Sequence, residues 1–319
     1  MRPKTFIASA IFTGSLLAGS PAGAQDSLKL AIGQIDAWSN QGPQLGQDVG
    51  IFKKYNLVLE SYGTQGTGES MQAVISGSAD IGFAVGIAGV MRAYARGAPI
   101  RILVPNFTGT GDLFWYVRAD SPLKSLKEAT DRQTIAYSAS GSSSHNIVLG
   151  FVEELGVKAK PTATGSPPGT LVSVMSGQID IGWAPPPFGL KELKEGKIRL
   201  LARGSDVPSL RNQTVRVTIA NWNAMRERPD VFRRFVLAYR ESVDWLYSDP
   251  RALKMYAAKT QIPEDIVESS SREFQPKEAL QTDEIRDVEG SVRDAIKLKF
   301  IEKPLTKDQL TDLIRIPPR

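Results

Sequence analysis

LVSVMSGQIDIGWAPPP, Leu171–Pro187, is the stretch whose reading decides the fold, because most of it occurs twice. VISGSADIGFA at Val74–Ala84 returns one hundred positions later as VMSGQIDIGWA at Val174–Ala184, with seven of the eleven residues identical. Each copy predicts the same local unit. An amphipathic turn of helix (Met71, Val74, Ile75; Leu171, Val174, Met175) ends at Gly77 or Gly177, where glycine can take the left-handed conformation past a helix end. Asp80 or Asp180 then leads into a short apolar strand that stops at a Gly or Pro cluster. A strand fed by one helix and followed by another belongs to a parallel sheet covered on both faces. Two equivalent units predict two similar α/β lobes, and two lobes imply a cleft between them.

Outward from the first copy, the chain reads as strand and helix in alternation. Strands are expected at Leu28–Ile32, Leu57–Tyr62 and Ile100–Val104, and helices at Leu45–Tyr55 and Val85–Arg96. Asn106–Asp112 breaks that rhythm and is the first candidate crossing between lobes. Around the second copy the pattern repeats, with strands at Leu113–Arg118, Ile135–Ser138 and Ile198–Ala202 and a helix at Ser144–Leu155 stopped by Gly156. Val215–Ala220 reads as a return strand of the second lobe and Asn221–Asn223 as the second crossing. From Pro229 onward the pattern is helical, and those helices are expected around the first lobe.

The 319 residues suffice for two domains, and the apolar and charged fractions are those of a globular chain. Arg2 and Lys4, the apolar run Phe6–Leu17 and Ala22-Gly23-Ala24 predict a secretory signal over residues 1–24, cleaved near Ala24. There is no cysteine, so export brings no disulfides and no lipidated thiol, which suits a freely diffusing periplasmic protein. Losing Arg2 and Lys4 lowers the formal charge of +5 by two, and no basic block remains to suggest nucleic acid. A monomer is expected.

Ligands of open parallel sheets lie beyond the carboxyl ends of the strands, which selects particular loops. In the first lobe these hold Gln34, Asp36 and Trp38, then Thr67 and Gly68, then Val85. In the second they hold Ser138, Ser140, Gly141, Ser142, Ser143 and His145, then Trp183 and Pro185. A glycine among serine hydroxyls directly before a helix presents backbone N–H groups at the positive end of the helix dipole and receives a carboxylate, sulfonate or phosphate. One serine capping the helix is the plainer alternative. Trp38 and Trp183 stack on a ligand or pack in the core; Asp36 meets an amine if the ligand has one. Asp80 and Asp180 are expected to hydrogen-bond to loop backbone. The single histidine, His145, makes no zinc site, and no Gly-x-Ser-x-Gly elbow is present, so no catalytic residue, metal or cofactor is assigned.

VGIFKKYNLVLE at Val49–Glu60, QAVISGSADIGFA at Gln72–Ala84 and the repeat resemble the periplasmic binding proteins of ABC importers for sulfonates, taurine, nitrate and thiamine-pyrimidine precursors. The resemblance implies a type II-like two-lobed α/β fold with mixed, mainly parallel sheets and two hinge crossings. It divides the chain into 25–110 with 222–319 as lobe one and 111–221 as lobe two. It also implies capture of a small organic anion, a sulfonate or carboxylate with aromatic ones included, and docking on the membrane subunits of an ABC permease. An exported enzyme of the same fold and a ligand-binding sensor subunit are the alternatives.

Overall fold

The computed structural model describes residues 25–319, so the expected signal segment lies outside the described residues. The first part of the chain carries β1 (Asp26–Gly33), α1 (Gly42–Asp48), α2 (Ile51–Lys54), β2 (Leu57–Thr64), α3 (Thr67–Ile75), β3 (Ile81–Gly86), α4 (Ile87–Ala95) and β4 (Ile100–Thr108). Beyond the first crossing come β5 (Phe114–Arg118), β6 (Thr134–Tyr137), α5 (Ser143–Leu155), β7 (Lys160–Ala163), α6 (Pro167–Met175), β8 (Gly182–Ala184), α7 (Leu190–Lys194) and β9 (Ile198–Arg203). The chain then returns through β10 (Thr214–Asn221) into α8 (Trp222–Glu227), α9 (Pro229–Ser248), α10 (Arg251–Thr260), α11 (Glu264–Phe274), α12 (Val288–Lys297) and α13 (Lys307–Leu313).

The two lobes are built to one plan. The first sheet runs β2-β1-β3-β10-β4, with the first three strands parallel and β10 antiparallel to both its neighbours. In the second lobe β5 lies antiparallel between β8 and β9, and β6 pairs in parallel with β7. A parallel bridge from Ile135 to Ile181 joins these two pieces, as Leu30 pairs with Ile81 in the first lobe. Each lobe thus takes its single antiparallel central strand directly after a crossing, β5 after the first and β10 after the second. The crossings run side by side: Gly109 N–H donates to Gln213 O at 2.8 Å, and Gly204 N–H to Leu113 O at 2.8 Å.

Contacts account for three of the shared residues of the repeated unit. Gly77 and Gly177 end their helices at φ +79° and +78°, where a side chain would be strained. Asp80 Oδ2 accepts the backbone N–H of Lys29 at 2.8 Å, and Asp180 Oδ2 accepts that of Thr134 at 2.8 Å. Each aspartate therefore stitches the start of its own strand to the neighbouring parallel strand, as expected of a hydrogen bonder to backbone. The glycine two residues later is there for space. A Cβ on Gly82 would stand 3.0 Å from Val74 of α3, and one on Gly182 would stand 2.5 Å from the Tyr116 ring of β5.

Several expectations are corrected. Val215–Ala220, read as part of the second lobe 111–221, belongs to β10 of the first sheet and is buried along its whole length. Strands adjacent in sequence need not share a lobe, and here the second crossing precedes the strand. Residues 222–319 do not all serve the first lobe: Phe274 of α11 packs in the second lobe's core, 6.0 Å from the Phe114 ring. The helix expected over Leu45–Tyr55 is two, broken at Gly50 with φ +84°. Val85 lies within β3, which runs to Gly86, rather than opening a helix.

Candidate ligand site between the lobes

The ends of β1, β6 and β8 meet over a narrow polar hollow with about 10 Å³ of free space, room for one water. Two helices from different lobes begin at it. A Cβ on Gly33 would stand 2.9 Å from Thr67 N, so the end of β1 abuts the start of α3 and only glycine permits the approach. Within α3, the N–H groups of Glu69 and Ser70 turn back to Gly66 O at 3.1 and 3.2 Å. Within α5, the His145 and Asn146 N–H groups go to Ser142, to its Oγ and its carbonyl at 3.1 Å each. The N–H groups of Thr67, Gly68, Ser143 and Ser144 are the remaining first-turn donors of these helices, which have no carbonyl within their own helix to bond. Gly68 faces Ala139 across the interface, where an added Cβ would be 3.1 Å from the alanine methyl.

Side chains add to this. Gln34 lines the hollow with its backbone in the left-handed region at φ +50°, and its Nε2 is buried with no hydrogen-bond partner among the described residues. Such strain in a non-glycine residue at a strand end points to a role for the side chain. Asn40 holds the loop in that shape, its Nδ2 donating to Gly33 O at 3.0 Å and to Gln34 O at 3.1 Å. Opposite, Ser144 Oγ accepts the Ser138 N–H at 2.9 Å and lies 3.0 Å from Ser142 Oγ, so the hydroxyls form a connected chain. Trp183 and Pro185 close the second-lobe wall, the indole N–H donating to Thr164 Oγ1 at 3.3 Å.

Among the described residues, the one cation lining the hollow is Arg216 of β10. Its guanidinium lies 4.5 Å from the Phe107 ring centre, donates to Ser143 Oγ at 3.3 Å and pairs with Asp112 of the first crossing. Burial pushes the Asp112 carboxyl above its ordinary range against the pull of Arg216, and its Oδ1 has no partner among the described residues. The pair therefore supplies little net charge, yet places unspent polar capacity at the wall.

Other expected site residues sit elsewhere. Trp38 is 1 % exposed and packs edge-on against Tyr256 and Tyr247, at 5.2 and 5.8 Å, within the core of the C-terminal helices. Val85 is buried in the first lobe's core. Ser140 and Gly141 seal the lobes together: Gly89 N–H donates to Gly141 O at 3.2 Å and Arg92 Nη1 to Ser140 Oγ at 3.3 Å. His145 stacks on Tyr137 at 4.3 Å, and its Nδ1 accepts the Gly141 N–H at 3.2 Å. Burial, with Arg92 nearby, lowers its pKa from 6.5 to about 4, so the ring is neutral and structural. Asp36 lines a larger cavity next to the hollow.

Residues 42–253 match the family model described as NMT1/THI5 like. The chain belongs to the NMT1/THI5-like family. This NMT1/THI5-like protein has the periplasmic binding protein fold. It superposes on the alkanesulfonate-binding protein SsuA from Xanthomonas axonopodis pv. citri bound to MOPS with a TM-score of 0.75, at 17% identity over 91% of this chain and 98% of that one. The periplasmic nitrate-binding protein NrtA from Synechocystis PCC 6803 gives a TM-score of 0.69 at 14% identity, over 91% and 86% of the two chains. No curated protein matches the sequence.

Four residues of this NMT1/THI5-like site escaped the sequence reading. Arg216 and Asp112 lie on a strand and a crossing assigned to other duties, and Asn40 sits in a loop judged by its tryptophan. The fourth, Gln275, ties the lobes together from the end of α11. Its Oε1 accepts the Ser39 N–H at 2.5 Å and its Nε2 donates to Pro186 O at 2.9 Å. Only a charged residue in an otherwise apolar strand, VRVTIA, signalled any of them.

Proposed function

We propose that this protein is a periplasmic solute-binding protein of an ABC importer that captures a small organic anion, a sulfonate or carboxylate, between its lobes and delivers it to the permease. The carrying observation is the convergence of two helix N-termini, one per lobe, on a single buried hollow with the free Gln34 amide at its wall. Each N-terminus offers backbone donors and a positive dipole end, so an anion held by both is bound without a dedicated lysine. Because the donors belong to different lobes, the anion gains its full set of contacts only when the lobes are shut. That differential affinity is what lets a ligand shift an open–closed equilibrium and present a closed form to a membrane partner. With room for one water, the hollow admits an anion only after the lobes part. The relatives of this fold that bind sulfonate and nitrate are in keeping with the reading. His145, the single histidine, is spent on Gly141 and Tyr137, which favours binding over turnover.

Titration calorimetry of the mature protein against alkanesulfonates, alkanecarboxylates and nitrate tests this. Saturable binding of an organic anion is expected, weakened about tenfold or more by Gln34→Leu, which removes a donor to a charged group. Absence of binding by every anion, or binding indifferent to Gln34→Leu, would overturn it.

A further inference from the structure

Two side-chain atoms of the hollow's lining residues are buried and unpartnered among the described residues, and they are of opposite kind. Gln34 Nε2 is a donor and Asp112 Oδ1 is an acceptor. The donor comes from the loop after β1 and the acceptor from the first crossing, yet both residues line the same hollow. We infer that Asp112 is a specificity residue of this site, reading a hydrogen-bond donor that the ligand carries beside its anionic group, so that the captured solute is a hydroxy-substituted anion such as an α-hydroxycarboxylate.

A carboxylate acceptor is out of keeping with the donors around it. The first-turn N–H groups of α3 and α5 and the Gln34 amide all donate, and they suit the oxygens of an anion. The serine hydroxyls take either part. Among the described residues lining the hollow, Asp112 is the one acidic side chain, and it is 1 % exposed. Its position is fixed from two sides. Arg216 Nη2 donates to Oδ2 and leaves Oδ1 open, while the same guanidinium donates to Ser143 Oγ at 3.3 Å and lies over the Phe107 ring. The crossing that carries Asp112 is braced as well, by Gly109 N–H to Gln213 O and Gly204 N–H to Leu113 O at 2.8 Å each, and by Leu113 N–H to Thr110 O at 3.3 Å. An anion without a donor of its own leaves this acceptor unpaired and sets it against a second negative charge. A hydroxyl next to the charged group reverses that: the anionic oxygens meet the N–H donors and the O–H meets Oδ1. Because Arg216 already balances the charge of Asp112, the donor that completes the site is a neutral hydroxyl. A site built to bond a ligand hydroxyl rejects the analogue that lacks it far more strongly than an apolar wall rejects a missing methylene.

This inference rests on the anion reading above, and the test separates the two. Calorimetry compares glycolate with acetate, lactate with propionate, 3-phenyllactate with 3-phenylpropionate and isethionate with ethanesulfonate. In at least one pair the hydroxy acid is expected to bind at least about tenfold more tightly than its deoxy partner. In Asp112→Asn the carbonyl stays on Arg216 and an NH2 donor replaces Oδ1, so the ratio is expected to fall to about one or below. Each ratio is taken within one protein, so a partial loss of fold does not imitate the result, and the first comparison needs no variant. Deoxy anions binding as well as or better than their hydroxy partners in every pair would overturn the role of Asp112 and leave the anion site standing. No binding by any of these acids would overturn the anion reading and this inference with it. A ratio unchanged in Asp112→Asn would mean that the hydroxyl is read by another group and would overturn the assignment.

Discussion

The two copies of the repeated unit are nearly the same in sequence and do different work. In the first, β3 ends at Gly86 and α4 carries Gly89, and both glycines press against Gly141 of the opposite lobe. A Cβ on Gly86 would stand 2.5 Å from Gly141 O. In the second, β8 ends at Trp183 and Pro185, which wall the hollow, and its glycine makes room for Tyr116 within its own lobe. The first copy builds a seal between lobes and the second builds a wall of the site. A shared unit fixes how a strand leaves its helix; the residues beyond the strand settle the task.

That contrast can be broken most sharply at the two glycines. Gly182→Ala drives a methyl into the Tyr116 ring inside one lobe, so its overpacking cost of about 1–3 kcal/mol is expected in folding stability, read by urea unfolding. Gly86→Ala meets its obstacle only when the lobes are closed. A penalty of the same size is then expected in ligand affinity, about 5- to 150-fold in Kd, with the unfolding midpoint nearly unchanged. Equal stability losses in the two variants would show that the seal is part of the folded core and not of closure.

A second comparison sets the aspartates against each other. Asp180→Ala deprives the Thr134 N–H and hydroxyl of their acceptor, for an expected loss of about 1–2 kcal/mol. Asp80→Ala frees the Lys29 N–H and also removes the partner of Arg228, held at 2.5 Å, so it is expected to lose more. Equal losses by chemical denaturation would mean that the Arg228 pair contributes nothing beyond the shared hydrogen bond.

A further effect, read along pH rather than by substitution alone, is expected at the seal. His145 has its pKa lowered in the folded state, from 6.5 to about 4, so the unfolded chain binds the extra proton first as pH falls. Its contribution to stability is present above about 6.5 and is lost as pH falls toward about 4. Protonation also costs Nδ1 its role as acceptor for Gly141. His145→Gln is expected to flatten the slope of melting temperature against pH in that window.

Much of the fold was legible because it is local. Helix ends at glycine, aspartates before strands and the period of the apolar residues are set by a few neighbouring residues, and a duplicated segment doubles the signal. The loops at the carboxyl ends of β1, β6 and β8 followed from topology, so Gln34, Thr67, Ser138, Ser142, Ser143, Trp183 and Pro185 do line the hollow. Trp38 does not, because an aromatic ring goes where apolar surface is greatest, and α9 and α10, some two hundred residues away, supply it. Ser140, Gly141 and His145 form the seal, a role that needs a partner no local pattern displays.

By itself the sequence determined two α/β lobes, the duplicated strand unit and the helix starts that give the cleft its donors, since each depends on backbone propensity and short-range spacing. Only the tertiary structure decided that β10 belongs to the first lobe, that Arg216 and Asp112 meet beside the site, and that Asp112 and Gln34 line one hollow. Those are pairings between segments far apart in the chain, chosen by burial and charge across an interface, and such choices leave no period in the sequence.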